Sequence, residues 1–169
     1  MKVIESALKD YKRKKSVIET TLLRIGAFKE AMEDPESFRE IFPIPKVSLG
    51  MPKADSVSSY VERSIIDKEE AIEILKEWIK DDKSRIYPYQ IEIEQIDAAL
   101  EALTMQERFI IECKYLEGMF WNEIEINFNN KFRQKNYITI SGIRKMNSDA
   151  LNMLSKILEP YYNRFKIKK

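Results

Sequence analysis

Between residues 139 and 152 the sequence TISGIRKMNSDALN sets Thr139, Ser141, Arg144, Lys145, Ser148 and Asn152 among apolar side chains. With helical periodicity, at ~100° per residue, Ser141, Arg144, Lys145, Ser148 and Asn152 fall opposite a stripe of Ile143, Met146, Ala150, Leu154 and Ile157. Cations and short hydrogen-bonding side chains, with no large apolar group, are what a helix needs to reach base edges and phosphates in a DNA groove. An ordinary solvated face has a similar composition, so the surrounding sequence has to decide. Just upstream, ten residues, NNKFRQKNYI, separate Phe128 from Thr139 and interleave Lys131, Arg133 and Lys135 with Phe132 and Tyr137. This stretch either lengthens the preceding helix, forms a basic loop against a phosphate backbone, or displaces the helix that follows. A phosphate contact there would add affinity without reading sequence.

Little else in the chain offers chemistry. It contains no histidine, the commonest general base and metal ligand. One cysteine, Cys113, excludes a multi-cysteine zinc site and an internal disulfide, and the four glycines form no phosphate-cradling loop. Cys113 follows Phe109, Ile110 and Ile111, the setting of a small core residue. Carboxylate pairs such as Glu92 and Glu94 belong to a total of 28 acids and read as solvated helix faces. The composition therefore speaks against an enzyme and calls for neither metal nor cofactor.

The net charge of +1 conceals an asymmetry. From Asn127 to Lys169 ten Lys and Arg face two acids, a surplus of eight, which leaves residues 1–126 at minus seven. A basic C-terminal third on an acidic remainder suits a polyanionic partner at one end only. Half of that surplus lies in the last 14 residues, where a basic end serves solubility equally well.

The elements that must position these residues read as helices. Ile4, Tyr11, Ile18, Ile25 and Met32 recur every seven residues, with Leu8 and Leu22 on the same stripe, which predicts a helix over 1–33. Residues 34–56 hold four of the six prolines and form a connector, with a short helical turn expected at Ser37–Ile41. A second long helix follows over 57–95. Ile65, Ile72, Ile79, Ile86, Ile93 and Leu100 again recur every seven residues, with Leu75, Tyr89, Ile96 and Leu103 between them. Pro88 should kink or split it near Tyr87, and Lys68 and Asp82 interrupt its apolar seam. The partner of that seam is either the first helix, folded back as a hairpin, or the same helix of a second chain.

Residues 96–158 form a separate pattern. Thr104 followed by Glu107 is a capping box. Phe109, Ile110, Cys113 and Leu116 make an apolar face, and Gly118 suits a helix-ending turn. A second helix spans 119–128, with Phe120 and Trp121 at its entrance and Ile124 and Phe128 inward. Trp121 reads as a packing residue rather than a base-stacking one. A third helix starts near Thr139 as N-cap. A basic tail, 159–169, closes the chain. The fold class is all-α: long amphipathic helices, hairpin or coiled-coil-like, followed by three helices in a helix-turn-helix arrangement.

Here a resemblance adds to the reading. The segment LTMQERFIIECKYLEGMFWNEIEINF with ITISGIRKMNSDALNML resembles the promoter-reading helix-turn-helix of bacterial sigma factors. The pattern falls on Leu103, Thr104, Glu107, Arg108, Tyr115, Gly118, Glu123, Ile124, Thr139, Ile143, Arg144, Ala150, Leu151 and Leu154. The whole is most similar to phage and prophage transcriptional regulators of the RinA/ArpU type, in which a helical N-terminal region precedes a sigma-like module. The resemblance implies a sequence-specific binder of double-stranded DNA, an activator of phage or prophage genes in the bacterial cytoplasm, at the nucleoid. Its departures are the ten-residue insertion, where the usual link is short, and the absence of core-binding segments of a complete sigma factor. RNA polymerase and a second copy of the chain are the partners this reading adds. A small terminase-like packaging protein and a helical interaction domain that binds no DNA are the competing readings. No apolar run approaches the ~20 residues needed to cross a bilayer.

Overall fold

The computed structural model describes residues 2–34, 60–132 and 137–165, the side chains of 60–68 and 165 excepted. The connector from residue 35 onward with its expected turn at Ser37–Ile41, the side chains of Ile65 and Lys68, Arg133 and Lys135, and the end of the tail lie outside them. Among the described residues the protein is all-helical. The helices are α1 (Lys2–Glu33), α2 (Tyr60–Glu101), α3 (Met105–Ile111), α4 (Trp121–Phe132) and α5 (Ile140–Phe165), and one π-type turn, Glu112–Leu116, extends α3. Among the same residues no helix is long and apolar enough to cross a membrane.

Two compact units result, and the division does not follow the boundary at residues 95 and 96. One unit is Ile18–Tyr87, and the other joins Met1–Val17 to Pro88–Lys169. Within Ile18–Tyr87, α1 and α2 lie side by side and antiparallel. Ile25 packs with Ile79 and Ile86, flanked by Ile18, Phe28 and Met32, and Phe28 meets Trp78 at 5.5 Å between ring centroids. Asp82, the charge that interrupts the seam, is buried, and the Arg24 fork covers it: Nε donates to Oδ2 at 2.7 Å and Nη2 to Oδ1 at 2.6 Å. A paired charge of this kind fixes which turns of two helices face each other. Leu22, expected on the stripe, is half exposed, because Thr21 takes the buried position one residue earlier.

In the other unit the first turns of α1 bury Ile4, Ala7, Leu8 and Tyr11. Tyr11 donates to Asp97 at 2.6 Å and Lys14 to Glu92 at 2.6 Å, which again sets α1 antiparallel to α2. The hairpin partner of the α2 seam is therefore α1 in each unit. Helix α2 is continuous from Tyr60 to Glu101, six residues beyond the expected end, with Pro88 inside it. A proline costs a helix about 3 kcal/mol. Buried side chains on either side of it, Ile86 before and Ile93 and Ile96 after, each return about 1.5–3 kcal/mol.

The residues expected to form a basic tail are helical as far as Phe165, and α5 contains Pro160. Tyr162 explains part of this extension, since its hydroxyl donates to Glu92 at 3.2 Å, on the carboxylate oxygen that also accepts from Lys14. Ile157 is 41% exposed, and Leu158 is buried in its place. The inward stripe of α5 is Ile143, Asn147, Ala150, Leu151, Leu154 and Leu158, with Met146 beside it.

Candidate nucleic-acid interface

The candidate surface is built on α3, α4 and α5, whose common core is Ile110, Cys113, Ile124, Phe128 and Ile143, edged by Phe109, Met119, Trp121, Phe132, Ile138 and Met146. Burial pushes the Cys113 thiol up to about 11, helped by the nearby Glu117 carboxylate, so it stays a protonated core group.

Helix α3 starts where the capping box places it. Thr104 Oγ1 accepts from the Glu107 amide at 3.3 Å, and the Glu107 carboxylate accepts from the Thr104 amide at 3.0 Å. Arg108 donates to Glu112 at 2.8 Å and to Glu101 at 2.6 Å, tying α3 back to the end of α2. Those two hydrogen bonds hold its guanidinium more firmly protonated than usual. The chain leaves α3 through the π-type turn, in which the Glu117 amide reaches the Glu112 carbonyl at 2.9 Å. Gly118 then adopts a φ of +74°, a left-handed geometry that any side chain would strain. The Met119 amide closes the turn on the Cys113 carbonyl at 2.9 Å.

Helix α4 begins with Glu123 Oε2 accepting from the Phe120 amide at 2.7 Å. It extends to Phe132, four residues beyond its expected end, so part of the insertion does lengthen the second helix. Helix α5 begins at Ile140, directly after Thr139 as expected. The contact at its start comes from elsewhere: Glu125 Oε1, on α4, accepts from the Ile140 amide at 2.9 Å.

Thr139, just before α5, and Ser141, Arg144, Lys145, Ser148 and Asn152 on it are all exposed. Asp149, four residues after Lys145, is exposed as well and puts an acid at the border of this face. The Arg144 guanidinium lies over the Trp121 ring at 5.5 Å, and Lys114 lies over the same ring at 4.9 Å while donating to the Met119 carbonyl at 3.1 Å. An indole face attracts a cation by ~0.5–1 kcal/mol at such partly exposed sites. Trp121 thus packs against the core, as expected of it, and also seats two cations, a role its position in the sequence did not announce.

Lys131 is not brought to this group. Its ammonium lies over Phe109 at 4.4 Å and Phe132 at 5.8 Å. It shares a groove with Glu112 and Glu117, whose carboxylates offset its attraction for an anion. Behind the face, Asn147 is buried and donates to the Tyr115 hydroxyl at 3.3 Å, while its Oδ1 has no hydrogen-bond partner among the described residues. Compared with known proteins, the chain matches no family model, no curated protein and no solved structure.

Proposed function

We propose that residues 96–158 form a helix-turn-helix module that reads double-stranded DNA, and that the protein is a sequence-specific transcriptional regulator, an activator, of phage or prophage genes. The observation that carries this reading is Arg144 on the exposed face of α5, seated on Trp121 and flanked by exposed Ser141, Lys145, Ser148 and Asn152. A guanidinium stacked on a ring keeps its edge free and loses little freedom on forming bidentate hydrogen bonds. That edge suits the O6 and N7 acceptors of guanine in the major groove. The positions of the sigma-like pattern support the same reading through the work they do: Thr104 and Glu107 cap α3, Gly118 turns the chain, Glu123 caps α4, and Ile124 and Ile143 share one core.

No catalytic step belongs to this function. RNA polymerase would be met by the acidic helical residues, and self-association would use the α1–α2 region. The test is selection of bound sequences from a pool of random duplexes, followed by gel-shift titration of Arg144→Ala and Lys145→Ala. A base-contacting side chain should cost ~1–3 kcal/mol on the enriched duplex. No enrichment, together with unchanged titrations, would remove the DNA-binding assignment. Light scattering of the complex then separates a regulator, bound as monomer or dimer, from a packaging protein, bound as a ring of many subunits.

A further inference from the structure

Ile138 and Ile140, at the entrance to α5, are held to α4 by side chains that no base-reading argument singles out. Asn129 uses its whole amide. Its Nδ2 donates to the Ile138 carbonyl at 2.9 Å and to the Glu125 carbonyl at 2.8 Å, and its Oδ1 accepts from the Ile138 amide at 2.9 Å. One turn earlier on the same helix, Glu125 accepts from the Ile140 amide. Ile138 in turn lies close against the first turn of α5: a Cβ on Gly142 would stand 2.9 Å from Ile138 Cγ2. Ile138 itself packs against the core of the three helices.

We infer that Glu125 and Asn129 are positioning residues for sequence readout, a latch that sets where α5 begins. The inference rests on the DNA-binding reading above and concerns the same face. The first turn of any helix has amide donors without partners within the helix. Here a carboxylate from a neighbouring helix takes one of them and complements the positive end of the helix dipole. The residues so held, Thr139 to Ser141, form the end of the helix whose side chains meet base edges in helix-turn-helix complexes. Arg144 and Lys145 lie beyond the first turn, on a segment that Ile143, Ala150 and Leu154 anchor independently. Releasing the latch should therefore cost the part of the discrimination that Thr139 and Ser141 supply, while what Arg144 contributes and the general affinity for DNA stay in place.

The test uses the full chain with two probes: a duplex enriched from the random pool by the wild-type protein, and a scrambled duplex of equal length and composition. The readouts are the ratio of the two affinities and the exchange rates of the Ile138 and Ile140 amides in the free protein. Glu125→Ala and Asn129→Ala should lower the ratio by up to about 2- to 30-fold, the factor by which losing a helix cap shifts the equilibrium of a helix end. Affinity for the scrambled duplex should stay unchanged and both amides should exchange faster. Glu125→Gln, which keeps an acceptor, should preserve most of the ratio, and Gly142→Ala should lower it by displacing Ile138. Where one alanine variant fails to fold, the comparison of Glu125→Gln with the remaining variants decides. A wild-type protein that discriminates, with alanine variants that discriminate equally well, overturns the latch and leaves the DNA-binding reading standing. A wild-type protein that enriches no sequence overturns both.

Discussion

If Arg144 is preoriented by Trp121, replacing the indole should weaken DNA binding through Arg144 specifically, and a double-mutant cycle isolates that effect. Trp121→Leu removes the ring but keeps apolar bulk against the core that Trp121 borders. At 5.5 Å from the ring centroid and on an exposed face, the guanidinium gains ~0.5–1 kcal/mol from the indole. Arg144→Ala alone should cost ~1–3 kcal/mol on the selected duplex. In the Trp121→Leu background it should cost less by about 0.5–1 kcal/mol, or about 2- to 5-fold in Kd. The packing loss at position 121 is common to both halves of the cycle and cancels. Lys114 shares the ring at 4.9 Å but donates to the Met119 carbonyl, so the same cycle on Lys114→Ala serves as the control and should show no coupling in DNA affinity. Gel-shift titration at one fixed salt concentration suffices, since affinities for DNA compared across salt concentrations mean little. Additivity within ~0.3 kcal/mol would refute the preorientation and leave Trp121 a packing residue only.

Two further expectations concern the helical scaffold. Arg24→Ala strands the buried Asp82 carboxylate and should cost about 2–3 kcal/mol, below the ~3–5 of a fully buried pair because Arg24 is half exposed. Asp82→Ala, which releases an arginine to water, should cost about 1 kcal/mol, and urea midpoints ranking the two variants the other way would contradict this burial argument. Burial, and then the hydrogen bond to Asp97, raises the Tyr11 phenol above its ordinary 10.0, so on alkaline titration the unfolded chain loses this proton first. Stability from Tyr11 should be complete below about pH 10 and fall as pH rises further; thermal melts of Tyr11→Phe should fall less steeply there, and parallel curves would rule the contribution out.

Much of the fold was legible because it depends on periodicity and local capping. The seven-residue spacing of Ile4, Tyr11, Ile25, Ile79, Ile86 and Ile93 needs only a buried stripe, and the Thr104–Glu107 box and Gly118 act within a few residues of themselves. Errors arose where a distant partner overrode a local preference. Asp82 reads as a flaw in a seam until Arg24, 58 residues away, is seen to cover it. Glu159 to Phe165 read as a tail because nothing nearby shows that Tyr162 will meet Glu92, 70 residues earlier. Ile157 and Leu158 differ by one position, which periodicity over a long helix does not resolve: a small change in winding moves the stripe from one to the other.

The exposed face of α5 was legible for the same periodic reason, but what holds it was not, and the cause lies in α4. Trp121, Ile124, Glu125, Phe128 and Asn129 recur at helical spacing and so share one side of that helix. Ile124 and Phe128 give it a core, Trp121 seats Arg144, and Glu125 and Asn129 hold the chain entering α5. In sequence the two polar members of that side look like breaks in an apolar stripe. In the structure they are its continuation by hydrogen bonds, because the backbone they meet, at Ile138 and Ile140, lies beyond Phe132, at the far end of the insertion. A helix built this way spends its inward side on bracing, and under the DNA-binding proposal the reading of bases falls to α5. Changes in α4 should then alter which sequence is preferred without any of its side chains touching a base.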